Sequence, residues 1–234
     1  MRKGRFSSLL VAITGAAIVW GLFWFQYRSG NTSYNYYLVI NMIALLWVPM
    51  LSILLLLGAD PGSFGFSPGL TGRTWAWIGG LFAGLLLLML IVAPWPEFQR
   101  YYPIFRRWDE FAGLPAFAVK PNGSLATNPF VAAPWTMLYA EASYGMYLFC
   151  WEFFFRGYLL FGLQKSLGSI AAVVIQAAAF GLLHYGKPEM IPSFGAGIIL
   201  GVVALRAKSF FPGFVLHWAA SAIFDFLVVA SRHG

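Results

Sequence analysis

Apolar residues in this chain do not alternate with polar ones; they arrive in long blocks, each closed by a short polar or breaker-rich stretch. The blocks run to the ~18 residues or more that separate a spanning helix from a buried core helix, and no period-two pattern of the outer-membrane type occurs. The pattern predicts spanning helices. The first runs from Leu9 to Phe25 behind the charged start MRKGRFSS; no small-residue cleavage site follows, so it reads as a retained span rather than a signal peptide. The polar turn RSGNTSYN leads to a second span, Tyr36 to Leu57, with Pro49 expected to kink it. A link rich in glycine and proline precedes the third, Thr74 to Trp95, whose Gly80 and Gly84 form a small-xxx-small seam for close helix packing. The fourth, Trp135 to Gln164, is longer than a bilayer needs and must tilt or project. Ser169 to Tyr185 gives a fifth, Ile191 to Leu205 a sixth with a second seam at Gly197 and Gly201, and a seventh begins near Phe210.

The stretch from Pro96 to Pro134 is too long for an idle connector. Pro103 is suited to a helix start, which places Ile104, Trp108 and Phe111 on one face and Arg106, Arg107, Asp109 and Glu110 on the other. That predicts a short helix at the membrane surface, an anchor or, in the sharper reading, a lid or substrate guide. The fold class is therefore all-α: a polytopic membrane helical bundle of about seven transmembrane helices with a short interfacial helix. Neither a repeat nor a low-complexity tract divides it, so 1–234 reads as one domain with its motif-bearing core at about 135–230.

Composition sharpens this. Hydrophobic residues make up 60% of the 234 residues and charged residues only 10%, against about 25% charged in soluble domains. The net charge of +7 comes from Lys and Arg between apolar blocks, as membrane flanks carry them, so the bilayer is the implied partner and nucleic acid is not. Arg2, Lys3 and Arg5 favour a cytoplasmic N-terminus. The single Cys150 excludes an internal disulfide and a cysteine metal cluster.

A few polar residues at membrane depth remain to be explained: Glu141, Glu152, Arg156, His184, His217 and Asp225. Each costs roughly 3 kcal/mol on insertion scales, so each needs a partner or a purpose. Glu152 and Arg156 stand i,i+4 with the acid first, the better order for a helical ion pair. His217, Ser221 and Asp225 recur at i,i+4 and share a face. Glutamate as base, a neutral histidine as hydrogen-bond partner and a water between them would make a hydrolytic arrangement, and the cost of isolated polar groups predicts that Glu152, His184 and His217 share one cavity.

At these residues the sequence resembles the CPBP family, the CAAX protease and bacteriocin-processing (Abi) intramembrane glutamic endopeptidases. Three motifs carry the resemblance in order: WEFFFRG with Glu152 and Arg156, the FxxxH spacing of Phe180 and His184, and the HxxxS spacing of His217 and Ser221, together covering about Leu138 to Val228. The resemblance implies an intramembrane peptidase with Glu152 and His184 activating water, His217 and Ser221 stabilising the oxyanion, and Arg156, Phe180, Trp151 and Asp225 in support. It implies a peptide or protein substrate, membrane-associated or prenylated, and no cofactor. Two positions depart from the family pattern. Trp151 stands where the family carries its first glutamate, so Glu152 is expected to take over as base with Trp151 as cavity wall, and Ser221 replaces a longer Asn or Asp. Three other readings stand beside this one: a zinc peptidase using two His and one Glu, a catalytically silent relative with a scaffold, immunity or regulatory role, and a proton-coupled transporter.

Overall fold

The computed structural model describes residues 2–28, 33–69, 71–120 and 125–231, with side chains from residue 6 onward. Seven long helices are found among them. We number these α1 (Arg2–Arg28), α2 (Tyr34–Leu56), α3 (Gly72–Val92), α4 (134–167), α5 (Ser169–Leu182), α6 (Met190–Ala207) and α7 (Phe211–Ala230). An isolated bridge between Val119 and Leu125 is the only β pairing among the described residues. The turn predicted between the first two spans falls largely on 29–32, outside the described residues.

Local chemistry sets the ends of these helices. The Ser33 hydroxyl accepts the Tyr36 N–H at the start of α2, and the Thr71 hydroxyl accepts the Thr74 N–H at the start of α3, each satisfying an orphan donor. Gly168, at φ 79°, makes the sharp break between α4 and α5, a left-handed conformation that costs glycine little. Around Pro49 the helix widens rather than simply bending: π turns at Ile43–Trp47 and Ser52–Leu56 flank the short α segment Val48–Leu51. Proline lacks an N–H and crowds the carbonyl four residues back, so the ladder shifts to i→i−5 bonds beside it.

Five helices, α1, α2, α3, α6 and α7, are long and apolar enough to cross a membrane. The expected fifth span is shorter than its sequence suggested, since α5 has 14 residues and stops at Leu182, leaving His184 in the turn beyond it. α4 is continuous in direction but changes pitch, with α geometry in Pro134–Glu152, a π-helical stretch in Phe153–Leu159, and α geometry again in Leu160–Leu167. It is the core of the bundle. Phe153, Phe154, Phe155, Arg156 and Tyr158 are all fully buried. The Tyr158 hydroxyl meets those of Thr14 on α1 and Ser52 on α2, and Ser8 donates to the Gly162 carbonyl at 2.7 Å, fastening α1 along the second half of α4.

The two glycine seams part company. Gly197 and Gly201 let α6 lie against α5 so closely that a Cβ on Gly197 would come 2.9 Å from the Cα of Ala177, and Gln176 donates across the contact to the Gly197 carbonyl at 2.7 Å. Among the described residues Gly80 and Gly84 do not serve as a seam, because a Cβ at either would meet nothing within 4 Å there. Composition alone cannot tell a helix face turned to a neighbour from one turned outward.

The connector between α3 and α4 departs from expectation in form but not in polarity. Instead of one helix from Pro103 there are two short turns, Ile104–Arg107 and Asp109–Ala112, broken at Trp108, whose backbone is extended. The predicted apolar face is nonetheless buried, with Ile104, Trp108 and Phe111 joined by Phe105. These rings gather on Tyr34 at the head of α2, with Trp108 and Phe111 edge-on at 4.9 and 5.0 Å. The connector is thus docked into the bundle at the α1 C-terminal end rather than laid beside it.

Candidate active site

Where α4 crosses α7 and α5, the buried charges meet. Glu152 and Arg156 are both fully buried on α4, and the Arg156 Nη1 lies 3.1 Å from the Glu152 Oε1. The same Oε1 accepts a hydrogen bond from the His217 Nδ1 of α7 at 2.8 Å. One carboxylate oxygen therefore serves both a cation and an imidazole. The guanidinium lies over the Phe180 ring at 4.1 Å, and the Nη1 contact is an ion pair without hydrogen-bond geometry, so its stabilisation comes from charge and the ring face. The other carboxylate oxygen, Oε2, finds no hydrogen-bond partner among the described residues and sits where a Cβ on Gly213 would come within 3.1 Å.

Phe180 holds the second histidine as well. Its ring centroid lies 4.7 Å from that of His184 and 5.9 Å from that of His217, so the two imidazoles flank one ring. His184 Nδ1 is 2.8 Å from the Phe180 carbonyl. A carbonyl can only accept, so Nδ1 carries the proton and neutral His184 keeps its lone pair on Nε2. Against a carboxylate, which also only accepts, the Nδ1 of His217 donates to Glu152 and the lone pair is left on Nε2. Two oriented imidazoles with their Nε2 atoms available can move protons.

Three of the expected residues, Glu152, His217 and Arg156, are therefore brought into contact, with Phe180 between them and His184. No direct hydrogen bond joins Glu152 to His184 among the described residues. Trp151, not Glu152, faces that histidine, its ring centroid 5.6 Å away at 69° and its body packed on Tyr147, Phe155 and Phe180. Consecutive helix positions diverge by 100°, so with Trp151 against α5 the glutamate points to α7. Ser221, one turn beyond His217, is half-buried, and no hydrogen bond joins it to Glu152 or His217.

Asp225 lies apart from this group. Its Oδ1 accepts the Ile104 N–H at 3.0 Å, while its Oδ2 and both carboxyl oxygens of Glu141 on α4 find no hydrogen-bond partner among the described residues. Asp225 therefore ties the connector to α7 rather than serving the histidines. Among the described residues no group of three or more His, Cys, Asp or Glu is arranged to hold a metal ion. Sequence reasoning overlooked Gly213, whose only signal is its place one turn before His217 on the same face.

Residues 133–223 match a family model described as Rce1-like, type II CAAX prenyl endopeptidase Rce1-like. This segment holds all of the residues just described except Ile104 and Asp225. No curated protein and no solved structure matches the chain.

Proposed function

We propose that this chain, whose residues 133–223 belong to the CPBP family of CAAX-protease-type proteins, is an intramembrane endopeptidase that hydrolyses a peptide bond near the membrane surface. The observation that carries the reading is the 2.8 Å hydrogen bond between buried Glu152 and part-buried His217, with a second oriented imidazole across the Phe180 ring. In this reading the Nε2 of His184 takes a proton from water as the oxygen attacks the peptide carbonyl. The proton that His184 takes from water passes to the leaving amine as the C–N bond breaks, while Glu152 holds the His217 ring in place through its Nδ1 contact. Arg156 pairs with Glu152 and holds it in place. Ser221, half-buried one turn beyond His217, is the hydroxyl donor for the oxyanion. The substrate is a peptide or protein held at the bilayer, and the chemistry needs no cofactor.

A silent relative is the second reading, and Trp151 favours it, because an indole stands against His184 where the family carries an acid. Cleavage of a lipid-anchored, quenched fluorescent peptide set by the purified protein in nanodiscs separates the two. Wild type should cleave, and Glu152→Gln, His184→Ala and His217→Ala should each lose about 100-fold or more while remaining monodisperse. Activity should persist after strong chelation and without stoichiometric zinc; activity restored only by added zinc would replace the histidine-water chemistry with a metal one. No cleavage by wild type, with Glu152→Gln complementing a deletion fully, would establish the silent relative.

A further inference from the structure

On the side of the bundle where α1 and α5 end, a cavity of about 270 Å³ opens between α1, the turn after α5 and the connector. Two cations line it, Arg107 from the connector and Lys187 from the turn, and Gln26 of α1 and Tyr101 of the connector add neutral polar groups. Its lining contains no acid. Glu189, two residues beyond Lys187, makes no ion pair within 4 Å with either cation, and the close partners of Arg107 among the described residues are the Tyr101 hydroxyl at 3.3 Å and the Trp108 ring at 4.7 Å. Burial, and then the charge of Arg107, pull the Lys187 ammonium down to about 8, while Glu189 acts the other way. Two like charges held at one cavity favour an anion there.

The surroundings of the cavity say which anion. Tyr27 and Tyr185 of its lining are exposed, as are Trp20 and Trp24 on the neighbouring turns of α1, and the guanidinium of Arg28, the last residue of that helix, lies over the Trp24 ring at 5.0 Å. Exposed Trp and Tyr beside a terminal arginine mark the depth of the lipid headgroups, where amphipathic rings and cations settle. The cavity therefore opens at headgroup level. Phe23, Leu182 and Leu183 complete its lining, and Leu182 is itself exposed, so an apolar wall adjoins the two cations. That combination matches a phosphate joined to acyl chains, whereas a free phosphate gains nothing from the wall. The volume is slightly below the ~300–1,000 Å³ of small-ligand pockets, enough for a phosphate with its glycerol while the chains stay outside. The Arg107 fork suits two phosphate oxygens, and the Lys187 ammonium is a point charge for another. A zwitterionic headgroup would bring its own ammonium up to these cations, which favours an anionic one.

We propose that this cavity binds the phosphate of an anionic phospholipid through Arg107 and Lys187, and that the bound lipid ties the connector to the turn bearing His184. The Lys187 N–H donates to the His184 carbonyl at 3.0 Å, so a headgroup held by Lys187 steadies the backbone of the histidine next to it. Binding is measured by calorimetry on delipidated full-length protein, monodisperse in a nonionic detergent, titrated with short-chain phosphatidylglycerol, short-chain phosphatidylcholine or inorganic phosphate. Phosphatidylglycerol should bind at least about tenfold more tightly than phosphatidylcholine, as two basic side chains at one phosphate give. Inorganic phosphate at equal concentration should not displace it. Arg107→Gln and Lys187→Gln should each weaken phosphatidylglycerol binding about fivefold, Arg107→Lys should weaken it less, and Lys208→Gln, away from the cavity, should leave it unchanged. The affinity should also fall as pH rises above about 8, because the unliganded Lys187 is then neutral and must take up a proton to bind, while Arg107 and the phosphodiester stay charged. The groups facing Lys187 in that titration are Arg107, Tyr101, Glu189 and His184, with Tyr27 and Tyr185 on the cavity wall. Affinities for the two lipids within about twofold of each other, or displacement by inorganic phosphate, overturn the lipid site. A preference for phosphatidylglycerol that survives both glutamine substitutions in monodisperse protein overturns it as well. None of these readouts uses cleavage, so a protein that binds the lipid and hydrolyses nothing supports the site and sinks only the peptidase reading.

Discussion

Glu152 shares a single oxygen between Arg156 and His217, and most of the site depends on that sharing. An ion pair withdrawn from water gains little net stability, yet removing one partner leaves a buried charge uncompensated at about 3–5 kcal/mol. Arg156→Ala should therefore lower thermal stability in detergent and activity together. Arg156→Lys should rescue only part, because an ammonium cannot lie flat on Phe180 as the guanidinium does. Fluorescence-detected size-exclusion after a temperature ramp reads the stability, and an Arg156→Ala protein with wild-type melting and wild-type cleavage would remove this role. The i,i+4 spacing was enough to expect the ion pair, since two charges at membrane depth on one helical face have no cheaper solution. The partner of the glutamate's other contact was not legible. Whether position 152 reaches α5 or α7 is decided by which way Trp151 packs, a tertiary choice among Tyr147, Phe155, Phe180 and His184.

Helices as units were legible where length and hydropathy alone decide them, and less so where pitch or facing matters. The seven predicted blocks correspond to α1 through α7, since a continuous apolar run has few alternatives in a bilayer. The π turn at Phe153–Leu159 was not readable, because it answers to packing: it starts immediately after Glu152 and sets Tyr158 toward the hydroxyls of Thr14 and Ser52. The broken helix after Pro103 follows the same logic, since Trp108 leaves helical geometry while its ring stays on Tyr34. Facing also separates the glycine pairs. Gly197→Leu should destabilise the fold, with a side chain forced into Ala177, whereas Gly80→Leu and Gly84→Leu should shift the melting temperature by no more than about 2 °C, as surface changes do. A large loss of stability in the Gly80 or Gly84 variant would mean that this face of α3 is covered in the membrane, contrary to what the chain alone presents.

Across the whole molecule, the short α5 fixes how the site meets water. Its 14 residues rise only ~21 Å at 1.5 Å each, against a hydrocarbon core of about 30 Å. A helix of that length started at one boundary would end short of the other, which would put the turn carrying His184, Lys187 and Glu189 below the surface. Polar and ionic side chains at such depth are tolerated where backbone and water-filled space are screened from lipid. The screen is the connector, whose Ile104, Phe105, Trp108 and Phe111 are buried against the bundle while Arg107 turns to the cavity beside Lys187. A site below the surface but open from one side follows, reached by the same face on which 93–120 and 125–133 lie and remote from the opposite face bearing 58–69 and 208. Single cysteines placed at Tyr185 and Lys187 in a Cys150→Ser background should react with a membrane-impermeant maleimide from the same side as a cysteine at Lys120, and a cysteine at Asp60 should react from the other. Protection of Tyr185 and Lys187 from both sides would mean that lipid or protein seals the turn. Reaction from the Asp60 side would invert the path by which a substrate reaches His184.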